Sequence, residues 1–155
     1  LRAAKVIEAA RPDVSAQVQR LAHKLRETAR ITRHPVCLHG DVHPKNAVLE
    51  GESLTLIDLD QAGVGPAAAD LGSLLAALSY NRLVGVIPPE TERELARAFL
   101  LGYATTRRLP TGNSLRWHAA AALLAERALR AVNRVRQAGL LRLREILIEA
   151  EGLLE

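Results

Sequence analysis

The chain has 155 residues and a mass of 16.8 kDa, 48% of them hydrophobic and 25% charged, which suits one soluble core. The net charge of +4 and pI near 9.8 raise nucleic acid and acidic membranes as partners, but arginines stand beside glutamates in helical segments and aromatics make up only 3%. No nucleic-acid signature occurs and no run of about 18 uncharged apolar residues exists, so both partner classes are set aside and a cytoplasmic location is expected.

The chain opens at Leu1 with LRAAKVIEAA and contains no Met, so it is expected to be part of a longer product. From Asp13 to Ile31, Val14, Val18, Leu21, Leu25 and Ala29 fall at helical spacings, with Asp13 as the expected N-cap after Pro12. Three short apolar runs follow, Val36 to His39, Ala47 to Leu49 and Leu54 to Ile57. The turn-like Glu50-Gly51-Glu52-Ser53 joins the last two into an expected hairpin. Cys37, the single cysteine, sits in the first run and is expected to be buried packing; it excludes an intrachain disulfide.

After Gly63-Val64-Gly65-Pro66 the pattern is helical from Ala67 to Asn81 and again from Pro89 to Arg107. A long alanine-rich helix is predicted from Leu115 to about Gln137, with Gly139 separating it from a last helix over Leu140 to Leu153. Trp117, Phe99 and Tyr103 read as core residues of these helices. The expected architecture is one α+β domain, mostly helical, with short strands clustered around one loop.

That loop is His39-Gly40-Asp41-Val42-His43-Pro44-Lys45-Asn46, followed by the hairpin and then Leu56-Ile57-Asp58-Leu59-Asp60. Phosphoryl transfer asks for a carboxylate that accepts the proton of the attacking hydroxyl and for oxygen ligands that hold magnesium against the phosphates. An aspartate followed five residues later by an asparagine supplies one of each. The hairpin returns a second carboxylate, Asp58, which is expected to emerge from a buried strand close to the loop. Two partly buried carboxylates and an amide are costly together unless a cation joins them.

The pattern H-G-D-x-H-x-x-N followed by I-D-x-D resembles the aminoglycoside phosphotransferase and choline kinase superfamily, a variant of the protein-kinase H-R-D and D-F-G segments. The resemblance runs from about His39 to Leu75, and more loosely over most of the chain as a protein-kinase-like C-terminal lobe. It implies Asp41 as the catalytic aspartate and Asn46 and Asp58 as ligands of Mg2+ and contacts to ATP or GTP. His43 falls at the place of the loop lysine that approaches the transferred phosphate, or braces the loop. His39 is implied as a hydrogen-bonding support of the loop backbone. Asp70 resembles the aspartate that anchors the catalytic loop from below, or is a plain carboxylate at a helix start. Asp60 is a further metal contact or an acceptor behind the ligands, and Lys45 a solvated loop charge.

The resemblance also implies a glycine-rich loop and a strand lysine paired with a helix glutamate, and neither is found among Lys5, Lys24, Lys45 and their surroundings. The nucleotide-gripping N-terminal lobe is therefore expected to lie outside this chain, as a partner of residues 1–155. The expected activity is transfer of a nucleotide γ-phosphoryl group to a small-molecule hydroxyl acceptor. Two competitors remain: a metal-dependent phosphoesterase, whose opening block Gly40-Asp41-Val42-His43 imitates, and a non-catalytic kinase-like binding module. Arg116, Arg127, Arg130, Arg134, Arg136, Arg142 and Arg144 stand against Glu126 alone between Leu115 and Arg144. This balance favours a neutral or anionic acceptor over a polycationic aminoglycoside, unless these arginines coat the outer face.

Overall fold

The computed structural model describes residues 2–29 and 35–155. Helix α1 (Arg2–Ala10) buries Ala3, Ala4 and Ile7 on one stripe, and α2 (Ser15–Glu27) buries Val18, Leu21, Ala22 and Leu25 on another. Pro12 opens a short 3-10 turn, Pro12–Val14, so α2 starts later than its apolar period suggests. Val14, not Asp13, occupies its N-cap, without a side-chain hydrogen bond. Asp13 instead accepts from Arg11 Nε and Nη2, each at 2.8 Å, and that contact draws its carboxyl down to about 2. The helix ends at Glu27 and leaves Ala29 exposed, while Ile31 falls outside the described residues.

The expected hairpin is present as β2 (Ala47–Glu50) and β3 (Ser53–Leu56), antiparallel with Ala47 opposite Leu56 and Glu50 opposite Ser53. Gly51 takes φ +59°, which a two-residue connection between twisted strands requires. A second ribbon joins β1 (Val36–Leu38) to β4 (Gly63–Gly65), so the chain leaves the hairpin and returns beside the strand that feeds the loop. Among the described residues, neither ribbon is covered on both faces. Cys37 is therefore exposed rather than packed, and every residue of β3 is exposed, so Asp58 does not emerge from a buried strand. Periodicity reports which residues can share a face; it does not report whether a second layer covers it.

Helix α3 (Ala67–Leu83) links the strands to the helical core and buries Ala68, Leu71, Gly72, Ser73, Ala76, Ala77 and Leu78. The core joins α1, α2, α3, α5 (Gly112–Ala122), the segment Leu123–Ala128 and α8 (Leu143–Gly152) around Ile7, Leu21, Leu25, Leu123, Leu124, Ile146 and Leu147. Each such side chain contributes roughly 1.5–3 kcal/mol of transfer free energy. Trp117 packs against this core, and its indole N–H donates to the Leu25 carbonyl at 3.1 Å. Phe99 and Tyr103 do not: α4 (Pro89–Ala104) contains no fully buried residue. It is held to α3 by polar contacts, Ser79 donating to Glu92 at 2.7 Å and Arg82 pairing with Glu92 and, at 2.8 Å, with Glu149 of α8.

The predicted long helix is interrupted. Leu123–Ala128 is a π-helical segment between α5 and α6 (Leu129–Asn133), and the helical stretch ends there rather than at Gln137. Its reversal is made by Val135, at φ +47°, with Arg136 N–H donating back to Ala131 O at 2.9 Å and Val135 N–H to Val132 O at 3.2 Å. Gly139 is not the separator. It lies inside α7 (Gln137–Leu141), where a Cβ would come within 2.6 Å of both Ala131 Cβ and Tyr80 Oη.

Gly72 has the same role at the crossing of α3 and α5: a Cβ there would meet Ala119 N and His118 Cβ at 2.7 Å. His118 is itself partly buried, with its ring edge-on to Trp117, and burial lowers its pKa. The Gly72→Ala variant is expected to lose about 1–3 kcal/mol of unfolding free energy from overpacking. Denaturant titration measures this; an unchanged midpoint would mean that the two helices separate without cost.

Candidate active site

The loop from His39 to Asn46 is built by backbone hydrogen bonds that the side chains of its neighbours complete. Asp70, in the first turn of α3, accepts from His39 N–H at 2.7 Å and from Gly40 N–H at 2.9 Å. It is thus both a helix-start carboxylate and the anchor of the loop. Gly40 takes φ +84°, and a Cβ there would lie 2.0 Å from Gln61 O, so the turn admits only glycine. His39 is buried; its Nδ1 accepts from Asp41 N–H at 3.4 Å and its Nε2 faces Ile57 O at 2.9 Å. Both contacts are met by the tautomer protonated on Nε2.

Asn46 is also buried, and its Nδ2 donates to the Asp41 carbonyl at 3.0 Å, closing the loop across five residues. That orientation leaves Oδ1 as an available oxygen ligand. Ile57 N–H donates to Asn46 O at 2.9 Å while Ile57 O meets His39, so the residue before Asp58 is tied to both ends of the loop. Asp58 then adopts φ 66° and ψ 63°, a left-handed conformation that costs a non-glycine residue roughly 1 kcal/mol or more. Such strain is concentrated at functional sites. Asp60 follows in the exposed 3-10 turn Leu59–Gln61, with no side-chain hydrogen bond among the described residues.

His43 caps the turn Pro44–Asn46, its Nδ1 accepting from Lys45 N–H at 3.2 Å. Its Nε2, which carries the proton when Nδ1 accepts, lies 3.6 Å from Asp41 Oδ2, too far for a hydrogen bond but with its N–H facing that carboxylate. The Lys45 side chain makes no ion pair among the described residues.

The residue that sequence reasoning did not assign to the site is Arg130, 89 positions from Asp41, whose Nη2 donates to Asp41 Oδ1 at 3.1 Å. Arg127, one turn earlier, donates to Ser73 O and Glu126 Oε2, each at 3.4 Å; its Nε is buried without a partner among the described residues. Burial lowers the Arg127 pKa, and Arg130 adds to the lowering while Glu126 and Asp41 oppose it. The other arginines sort differently: Arg142 pairs with Glu145, Arg144 with Asp13, and Arg116 bonds Asn113. An excess of arginine over glutamate was visible in the sequence, but not which arginines face the loop.

The candidate site therefore comprises a carboxylate on a tight loop, an amide that bonds the loop across five residues, a hairpin that returns the chain to Asp58, and a helix-start carboxylate that accepts from the loop backbone. Residues 2–117 match the model of the phosphotransferase enzyme family, and the chain belongs to that family. No curated protein and no solved structure shows a significant match to it. Arg127 and Arg130 lie beyond the matched segment. Among the described residues no helix is long and apolar enough to cross a membrane.

Proposed function

We propose that this chain is the catalytic-loop lobe of a small-molecule kinase that transfers the γ-phosphoryl group of ATP or GTP to a hydroxyl acceptor. The observation that carries the proposal is the position of Asp41, whose backbone is locked by Asn46 while its carboxylate stays partly open. The acceptor oxygen attacks the γ-phosphorus, the bond to the β–γ bridging oxygen breaks, and Asp41 receives the hydroxyl proton. His43 braces Asp41, and His39 and Asp70 hold the loop.

The donor set fits a hard cation: among the described residues no group of three His, Cys, Asp or Glu gathers, but Asn46 Oδ1 and Asp58 offer two oxygens from adjoining backbone. Magnesium accepts such a partial set because it retains water and uses nucleotide phosphates as further ligands. Asn46 and Asp58 would hold it, with Asp60 behind them, and when bound it neutralises phosphate charge.

The nucleotide-gripping lobe would cover the exposed apolar surface around Asp58, where Leu49 is 70%, Leu54 62%, Leu59 60% and Val64 78% accessible. The cytoplasm, which holds the nucleotide donor, is the proposed location. With Arg130 on Asp41, a neutral or anionic acceptor is favoured over a polycation.

The test is a phosphotransfer screen of the intact gene product with ATP or GTP, Mg2+ and a range of hydroxyl acceptors, with Asp41→Asn as control. Nucleotide-dependent labelling of an acceptor that the control loses is the expected result. Transfer that persists in the control would overturn the assignment of Asp41. Robust turnover by residues 1–155 alone would overturn the need for a second lobe.

A further inference from the structure

Arg130 stands where an acceptor must arrive. Asp41 can take a proton only from a hydroxyl at hydrogen-bond distance, yet one of its oxygens already accepts from Arg130 and the other faces His43. The Arg130 contact is a single bond through Nη2, and its side chain is 34% accessible, so the rest of its planar fork is open to a second anionic partner. Arg127 lies one turn earlier and adds a second positive charge near Asp41, close enough to Arg130 that the two repel. Arg127 is 11% accessible, and the carboxylates facing this guanidinium pair are Glu126, which also binds Ser73, and Asp41.

The pair is presented by an unusual backbone. The π-helical segment Leu123–Ala128 inserts a wider turn immediately before α6, and this shifts the face carrying Arg127 and Arg130 relative to a regular continuation of α5. Such insertions cost helix hydrogen-bond geometry and occur frequently at functional sites. The core does not demand the arginines, since the buried side chains of this stretch are Leu123, Leu124, Ala128 and Ala131.

We propose that Arg130, with the charge of Arg127 one turn away, forms an oxyanion subsite beside Asp41, and that the acceptor carries a carboxylate or phosphate group close to the hydroxyl it presents for phosphorylation. The acceptor's anion engages the guanidinium fork and releases one oxygen of Asp41 to the hydroxyl. An acceptor with ammonium groups at that position meets two guanidiniums and is disfavoured. This assignment rests on the phosphotransferase reading of Asp41 and narrows its acceptor class.

The experiment uses the intact gene product and three matched acceptors, glycerol, glycerate and glycerol phosphate, together with direct binding of glycerate and inorganic phosphate by calorimetry. The expected outcome is that one of the two anionic acceptors is phosphorylated in preference to glycerol, which also separates carboxylate from phosphate as the recognised group. Arg130→Gln should raise KM for that acceptor by about 10- to 100-fold, the range for lost hydrogen bonds to a charged group, and weaken anion binding in parallel. Arg130→Lys should restore part of the binding, and Arg144→Gln, on the outer face beside Asp13, should change neither quantity.

Better turnover of glycerol or of aminoglycosides would overturn the inference, as would an Arg130→Gln defect confined to kcat and equal for all acceptors. Failure of both glycerate and phosphate to bind would overturn it as well. Arg130-dependent anion binding with no transfer to any acceptor of the wider screen would leave an anion site but overturn its acceptor role together with the phosphotransferase reading, whereas transfer that ignores both the anion and Arg130 would overturn the subsite alone.

Discussion

Asp41→Asn is expected to lower phosphotransfer by about 10²- to 10⁴-fold, the usual contribution of a positioned general base, while leaving the fold intact. The substitution keeps the shape of the side chain and an oxygen for Arg130, and it removes only the basic charge that receives the hydroxyl proton. The loop does not depend on this carboxylate for its conformation: Asn46 bonds the Asp41 carbonyl, and His39 receives its N–H. The pair with Arg130 is partly exposed and contributes about 1 kcal/mol or less. Initial rates at saturating nucleotide, with a thermal melt on the same sample, separate the two effects. A variant that kept its rate would remove Asp41 from the chemistry, and one that lost its fold would make the carboxylate a structural group.

Asp70→Ala should damage both stability and activity without touching a reacting atom. The carboxylate accepts two backbone N–H groups at 2.7 and 2.9 Å and holds the turn at Gly40 against the start of α3. Removing it leaves those donors to find water or go unpaired, an expected loss of about 2–3 kcal/mol in unfolding free energy. A displacement of about 1 Å at Asp41 would then cost on the order of 100-fold in kcat. Hydrogen exchange of the His39 and Gly40 amides gives the specific readout, since faster exchange there than elsewhere is expected. Asp70→Asn, with one acceptor oxygen in place of two, should fall between the wild type and Asp70→Ala. Uniform exchange with unchanged kcat would show that the loop holds itself and that Asp70 serves only the helix dipole.

The parts of the candidate site legible from the residues alone are those whose partners lie close in sequence, whereas Asp70, 31 positions from His39, comes from the family resemblance. Asp41 and Asn46 are five residues apart, and a hairpin with a glycine turn is a local signal that carries Asp58 back to them. Helix stripes were legible for the same reason, because Val14, Val18, Leu21 and Leu25 obey a period that burial then uses. Boundaries failed where a single residue overrode the period. Pro12 delayed α2, Val135 rather than Gly139 turned the chain, and the π-helical segment broke what an alanine-rich pattern presents as one helix. Cys37 failed differently, since an apolar strand in an uncovered ribbon is exposed whatever its composition.

By itself the amino-acid sequence determined the chemistry on offer: a carboxylate, an amide and a second carboxylate at spacings that a tight loop and a hairpin can bring together. Local hydrogen bonding and hydrophobic period suffice for that, since they act over a few residues. Only the tertiary structure decided what faces Asp41. The guanidinium of Arg130 reaches it from a helix 89 positions away, and its approach depends on a π-helical segment, on the crossing at Gly72 and on the core that seats α5 against α3. Contacts of that separation arise from packing the whole chain at once, which no local pattern encodes.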